Sequence, residues 1–162
     1  MLHLQASSLD DTHAIAASIA GLTRAGDLIV LAGEMGAGKT AFAQGFGAAL
    51  GVAEPMTSPT FTLVHSYDLG RVMLHHVDIY RLSTRNEVDD LALSELLEYD
   101  GIVLLEWGDV VAQSLGEHLL VRLEPAGGDD ENLRALTVSG NGKCWAGRWE
   151  RLEAVLTKFA TS

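Results

Sequence analysis

Between Asp11 and Arg24 the chain reads DTHAIAASIAGLTR, with apolar Ile15, Ile19 and Leu22 recurring every three or four positions. That spacing predicts a helix with one buried stripe, and Ser8 or Asp10 is placed to cap its start. Leu28–Ala32 follows a different rule: it is apolar throughout and lies between glycines, as a central strand buried on both faces does. KTAFAQGFGAALG returns to a helical pattern that ends near Gly51. TFTLVHSY and RVMLHHVDIY then read as two strands, and the turn Asp68-Leu69-Gly70 between them predicts an antiparallel hairpin. Residues 86–99 predict an acidic helix with Leu91, Leu93, Leu96 and Leu97 as its apolar positions. GIVLLEW is a second buried strand, and two further strands are expected near 119–123 and 134–138. Trp145, Trp149, Leu152, Leu156 and Phe159 share one stripe, which predicts a C-terminal helix over residues 145–160 packed on the core.

No repeat, low-complexity tract or flexible linker interrupts this order. The expected fold is a single α/β domain over residues 1–162, a mixed sheet with flanking helices. A chain of 162 residues buries an adequate core without cross-links. The lone Cys144 excludes an internal disulfide and a cysteine-based zinc site. The start MLHLQASSLDD has neither the basic residues nor the apolar run of a signal peptide, and no stretch reaches the ~20 apolar residues of a membrane span. A cytoplasmic protein with no membrane partner is expected.

Charge narrows the choice of partner. The formal net charge is −11, from 22 acidic and 11 basic residues, and no Lys or Arg occurs between Lys39 and Arg71. Gripping nucleic acid directly requires a basic face, because phosphate contacts dominate affinity. Direct binding is therefore disfavoured, and protein partners remain open.

The chemistry centres on GEMGAGKT, Gly33–Thr40, which follows the apolar strand and opens the next helix. Its spacing is that of a phosphate-binding loop in a P-loop NTPase-like domain. Gly36 and Gly38 let backbone N–H groups turn toward an anion, and the helix start reinforces them. Lys39 is placed to reach the terminal phosphates of a nucleotide, and the Thr40 hydroxyl to ligate Mg²⁺. Mg²⁺ also needs an acid from a neighbouring strand, and Glu106 stands at the carboxyl end of IVLL, where ligands of open α/β sheets gather. Trp107 beside it either shields the site or packs.

In LHHVDIYR, strand alternation puts His76, Asp78 and Tyr80 on one face and His75, Val77 and Ile79 on the other. The polar row reads either as part of a site or as satisfied hydrogen-bonding side chains. Within a site, Asp78 suits a water-orienting carboxylate better than a direct metal ligand. SPTFT, Ser58–Thr62, fits either a segment meeting the terminal phosphate or a plain turn entering a strand.

Taken together, GEMGAGKTAF, SPTFTLV, HHVDIYRL and LLEW, in this order across residues 33–107, resemble the TsaE family. This is the small P-loop ATPase family of bacterial tRNA threonylcarbamoyladenosine biosynthesis. The resemblance implies ATP binding through Glu34, Met35, Gly36, Ala37, Gly38, Lys39 and Thr40, with Mg²⁺ at Thr40 and Glu106. It further implies catalytic roles for Asp78, Thr60 and Lys39, and contacts to the nucleotide from Trp107, Thr12 and Arg134. It implies an ATPase working with other proteins of the complex that modifies adenosine 37 of tRNAs reading codons beginning with A; tRNA is met only indirectly. The chain departs from the family at Glu34-Met35, where Asp-Leu is usual, at Ala41, where a second Thr is usual, and at Gly108-Asp109, where Pro-Glu is usual.

Two other functions use the same loop. A small-metabolite kinase needs cationic groups that clamp the transferred phosphoryl group, commonly on a lid, whereas the arginines here are few and scattered. A non-catalytic nucleotide sensor would bind ATP without needing Asp78.

Overall fold

A computed structural model describes residues 1–33, 38–53, 64–78, 93–98, 100–106, 116–126 and 133–161. Among the described residues seven strands form one mixed sheet: β1 (Leu2–Ala6), β2 (Leu28–Ala32), β3 (Val64–Asp68), β4 (Met73–Asp78), β5 (Gly101–Glu106), β6 (His118–Pro125) and β7 (Arg134–Asn141). Their order across the sheet is β1-β7-β6-β2-β5-β4-β3. The inner strands β6, β2, β5 and β4 run parallel, while β3, β7 and β1 join antiparallel at the two sides. β2 is thus the middle strand, and all five of its residues are buried, as its unbroken apolar run requires.

Helices α1 (Leu9–Ala20), α2 (Lys39–Leu50) and α4 (Trp149–Leu156) cover one face; the short α3 (Leu93–Leu97) lies against the other. The larger core joins Ile15 and Ile19 of α1, Phe42 and Phe46 of α2, and Leu152 and Leu156 of α4 to Ile29, Leu31, Leu74, Leu104 and Val121 of the sheet. Val30, Val77, Val103 and Leu105 form the smaller core on the opposite face, packed by Leu96 and Leu97. Leu74 and Val77 therefore separate as a period of two demands, and His76 and Asp78 belong to the face of α1 and α2.

Local chemistry sets the element ends. Ser8 caps α1 by accepting from the Asp11 N–H at 3.1 Å, and Asp11 accepts in turn from the Ser7 N–H. In the β3–β4 turn Asp68 accepts from the Gly70 N–H at 2.9 Å, and Gly70 takes a positive φ of 88°. Of the acidic helix expected over 86–99, residues 93–97 are helical and residues 86–92 lie outside the described residues.

Two features differ from the sequence pattern. β1 was absent from it, although Leu2, Leu4 and Ala6 do alternate. The C-terminal stripe is also broken into three pieces: a 3-10 turn at Ala146–Arg148, α4, and a second 3-10 turn at Thr157–Phe159. Trp145, Leu152, Leu156 and Phe159 are nevertheless buried in the larger core, with Trp149 partly buried against it. The chain then returns to the sheet: Ala160 bridges to Leu4, and the Thr161 N–H bonds the His3 carbonyl at 2.9 Å.

Candidate functional site

The carboxyl ends of the parallel strands meet at one edge of the sheet. Glu106 ends β5 and stands in register with Leu31 of β2 on one side and Asp78 of β4 on the other. Side-chain alternation turns Glu106 and Asp78 to the face that carries α2. β2 neighbours β6 on one side and β5 on the other, and such a branch point outside the carboxyl ends of strands is where open α/β sheets bind ligands.

α2 begins at this edge. Gly38 precedes it with φ 105°, a conformation that disfavours any side chain, and its carbonyl accepts from the Phe42 N–H at 3.0 Å. Among the described residues no side chain caps α2 and no acidic residue occupies its first turn, so the positive end of the helix dipole is open to an anion. Lys39 is buried, with 6% of its surface exposed, and its ammonium donates to the Gly33 carbonyl. That bond holds the cation across the base of the loop. Thr40, by contrast, is exposed.

Arg134 borders the same loop. A Cβ placed on Gly38 would sit 3.7 Å from Arg134 Nε and 3.6 Å from Leu123 Cδ2. Arg134 begins β7 and pairs with Ala6 at the end of β1, three residues before α1 starts. The first turn of α1, which carries the buried Thr12, is thereby brought to the edge where Gly38 and Arg134 meet.

Glu106 is 2% exposed, and a carboxylate so buried needs a hydrogen-bond partner. His76 supplies one: its Nε2 lies 2.5 Å from Glu106 Oε2. His76 is itself fully buried, two residues before Asp78 on β4.

This edge fits a magnesium nucleotide. Hydroxyl and carboxylate oxygens, the donors offered by Thr40 and Glu106, are the hard ligands that Mg²⁺ prefers. Among the described residues no group of three or more His, Cys, Asp and Glu converges, and Mg²⁺ bound to phosphates takes only one or two protein carboxylates.

A family model described as threonylcarbamoyl adenosine biosynthesis protein TsaE matches residues 6–133. The chain belongs to the TsaE family. The TsaE protein of Bacillus subtilis is 37% identical over 132 residues, covering 82% of each chain. The TsaE protein of Streptomyces coelicolor is 44% identical over 133 residues, covering 79% of this chain and 89% of its own. Both are described as tRNA threonylcarbamoyladenosine biosynthesis proteins. The crystal structure of Bacillus subtilis YdiB superposes with a TM-score of 0.74 at 30% identity, covering 97% of this chain and 94% of that one. Its likeness extends to the same α/β arrangement described here.

Of the residues that the TsaE resemblance singles out, the structure brings Gly38, Lys39, Thr40, Asp78, Glu106 and Arg134 to one edge of the sheet, with Thr12 on the helix that starts there. Glu34, Met35, Gly36, Ala37, Thr60, Tyr80 and Trp107 lie outside the described residues. The sequence pattern missed the His76–Glu106 contact. Its only trace is that both residues stand near the carboxyl ends of apolar strands; the pairing of β4 with β5 supplies the rest. No helix among the described residues is long and apolar enough to cross a membrane.

Proposed function

We propose that this TsaE-family chain binds ATP with Mg²⁺ at the loop before α2 and hydrolyses it in the service of other proteins. Those proteins form the threonylcarbamoyl group on adenosine 37 of tRNA, and this chain does not itself transfer the group. The register Leu31–Glu106–Asp78 carries the reading, because it sets two carboxylates beside the strand that feeds the phosphate loop.

Each residue has a separable task. Lys39 exchanges the Gly33 carbonyl for phosphate oxygens and neutralises their charge. The backbone at the start of α2 orients the phosphates along the helix axis. Thr40 and Glu106 would hold Mg²⁺, which when bound supplies Lewis-acid stabilisation of the phosphoryl oxygens. Asp78, facing the same side of the sheet as Glu106, orients the attacking water. Arg134, beside Gly38, adds positive charge at the loop. Thr12, Thr60 and Trp107 complete the nucleotide contacts.

Phosphoryl transfer depends on cations that meet the charge developing on the transferred group, and one supplied in trans is worth roughly 10³–10⁵ in rate. With Lys39 and Arg134 as the basic side chains assigned to the phosphates, the isolated chain turns over slowly and partners accelerate it. The net charge of −11 favours docking to basic protein surfaces and leaves tRNA to those partners. Family membership favours this reading over a metabolite kinase. Steady-state phosphate release from Mg·ATP, with and without the purified partner proteins, is the test. Slow release that rises on their addition is expected. Fast release unchanged by them overturns the proposal.

A further inference from the structure

Glu106 is buried at the end of an otherwise apolar strand, and without a restraint its carboxylate would choose among several rotamers. The restraint comes from the neighbouring strand. His76 is in register with Leu104, so Glu106 is its diagonal neighbour two residues further along β5, on the same face. Diagonal pairs are within reach of long side chains, and here imidazole Nε2 meets Oε2 at 2.5 Å. The far nitrogen of the ring, Nδ1, is buried and has no hydrogen-bond partner among the described residues. Nε2 faces a carboxylate oxygen, which accepts and does not donate, so their hydrogen bond requires the N–H on Nε2. The ring proton therefore belongs on Nε2, from which it donates to Glu106 Oε2.

We propose that His76 is a positioning residue: its Nε2–H fixes Oε2 of Glu106 and so presents Oε1 to the metal that accompanies the nucleotide. The inference rests on the magnesium-nucleotide reading above and adds to it the group that aims the acid. Outer partners of this kind govern how well a ligand's geometry suits a metal, and losing one typically lowers metal affinity 10- to 100-fold. His76 touches neither nucleotide nor water in this account and acts only through Glu106.

Two amide isosteres separate positioning from packing. In His76→Gln the amide nitrogen can occupy the place of Nε2 and keep the donor to Oε2. In His76→Asn it falls near the place of Nδ1 and cannot reach. The full-length chain and both variants are titrated with ATP in excess EDTA, then with Mg²⁺ at saturating ATP, and melting is followed by circular dichroism. The expected result is a 10- to 100-fold loss of Mg²⁺ affinity in His76→Asn, most of it recovered in His76→Gln, with metal-free ATP affinity within about twofold of the parent in both. Equal Mg²⁺ affinities in the two variants would overturn the positioning role. So would a loss in His76→Asn that is as large without metal as with it, because that marks a packing defect. A parent chain whose ATP binding ignores Mg²⁺ would instead overturn the magnesium-nucleotide reading on which this inference rests.

Discussion

Arg148 and Asp27, 121 positions apart, form a buried two-pronged ion pair, Nη1 to Oδ2 at 2.7 Å and Nη2 to Oδ1 at 3.0 Å. The same guanidinium donates to the Leu22 and Cys144 carbonyls and lies over the Trp145 ring at 3.9 Å. It thereby ties the C-terminal segment to the chain entering β2, at the end of that strand remote from Glu106. Removing one partner strands a charge in the core and costs about 3–5 kcal/mol. Arg148→Met is expected to lower the melting temperature by on the order of 10 °C. ATP affinity at a temperature where the variant is folded should match the parent. A thermal melt and a calorimetric titration check both halves.

Gly45 of α2 lies directly against the backbone of α1. A Cβ there would stand 2.7 Å from His13 Cα and 2.9 Å from the His13 carbonyl oxygen, which are main-chain atoms that cannot swing aside. Gly45→Ala must part the helices and is expected to cost about 1–3 kcal/mol. Gly147→Ala serves as the control, since a Cβ at Gly147 meets nothing within 4 Å. Denaturant unfolding should show a lower midpoint for the first and a change under about 0.5 kcal/mol for the second.

Lys39→Ala removes the buried ammonium that bonds the Gly33 carbonyl. ATP binding should become undetectable by calorimetry while the far-ultraviolet spectrum stays native. Retention of parental affinity would end the phosphate-loop assignment.

Glu106→Ala should weaken Mg²⁺-dependent ATP binding by at least tenfold while leaving metal-free binding nearly unchanged. It also deprives His76 Nε2 of its acceptor inside the core, so a modest fall in stability, about 1–3 kcal/mol, is expected alongside. Parallel melts and titrations distinguish the two effects. A variant that hydrolyses ATP at the parental rate would exclude Glu106 as the metal acid.

Burial pushes the Cys144 thiol above its usual range, and the nearby carboxylates of Glu117 and Asp27 push the same way against the weaker opposing pull of Arg148. The reactive thiolate is correspondingly scarce at neutral pH. Alkylation by iodoacetamide should be slower than that of a free small-molecule thiol and should climb steeply as pH rises beyond the ordinary thiol range. Timed mass spectrometry of the folded chain measures this.

Local pattern carried much of the fold. The run Leu28–Ala32, the glycines around it and the period of α2 mark the glycine-rich segment between them without any distant contact, and β2 and α2 appear at the expected positions. Alternation in β4 correctly puts His76 and Asp78 on one face. What the pattern could not show is pairing between remote strands. Nothing local tells His76 that Glu106 is its neighbour, or Arg134 that Gly38 is; the order β7-β6-β2-β5-β4 decides both. The C-terminal stripe misled for a related reason. Its five apolar residues do face the core, but α4 itself spans only Trp149–Leu156, with Gly147 in the tighter turn before it.

β1 is the outermost strand on its side of the sheet, with β7 along one flank. Its other flank meets the end of the chain at Leu4–Ala160 and His3–Thr161. An open strand flank is a template on which another molecule can add a strand, the first step toward uncontrolled assembly. The last few residues of this chain work as an edge guard. They occupy the His3 carbonyl, which a neighbour would otherwise recruit, and lie alongside Leu4, so the segment with no evident part in the chemistry helps keep one molecule from pairing with the next.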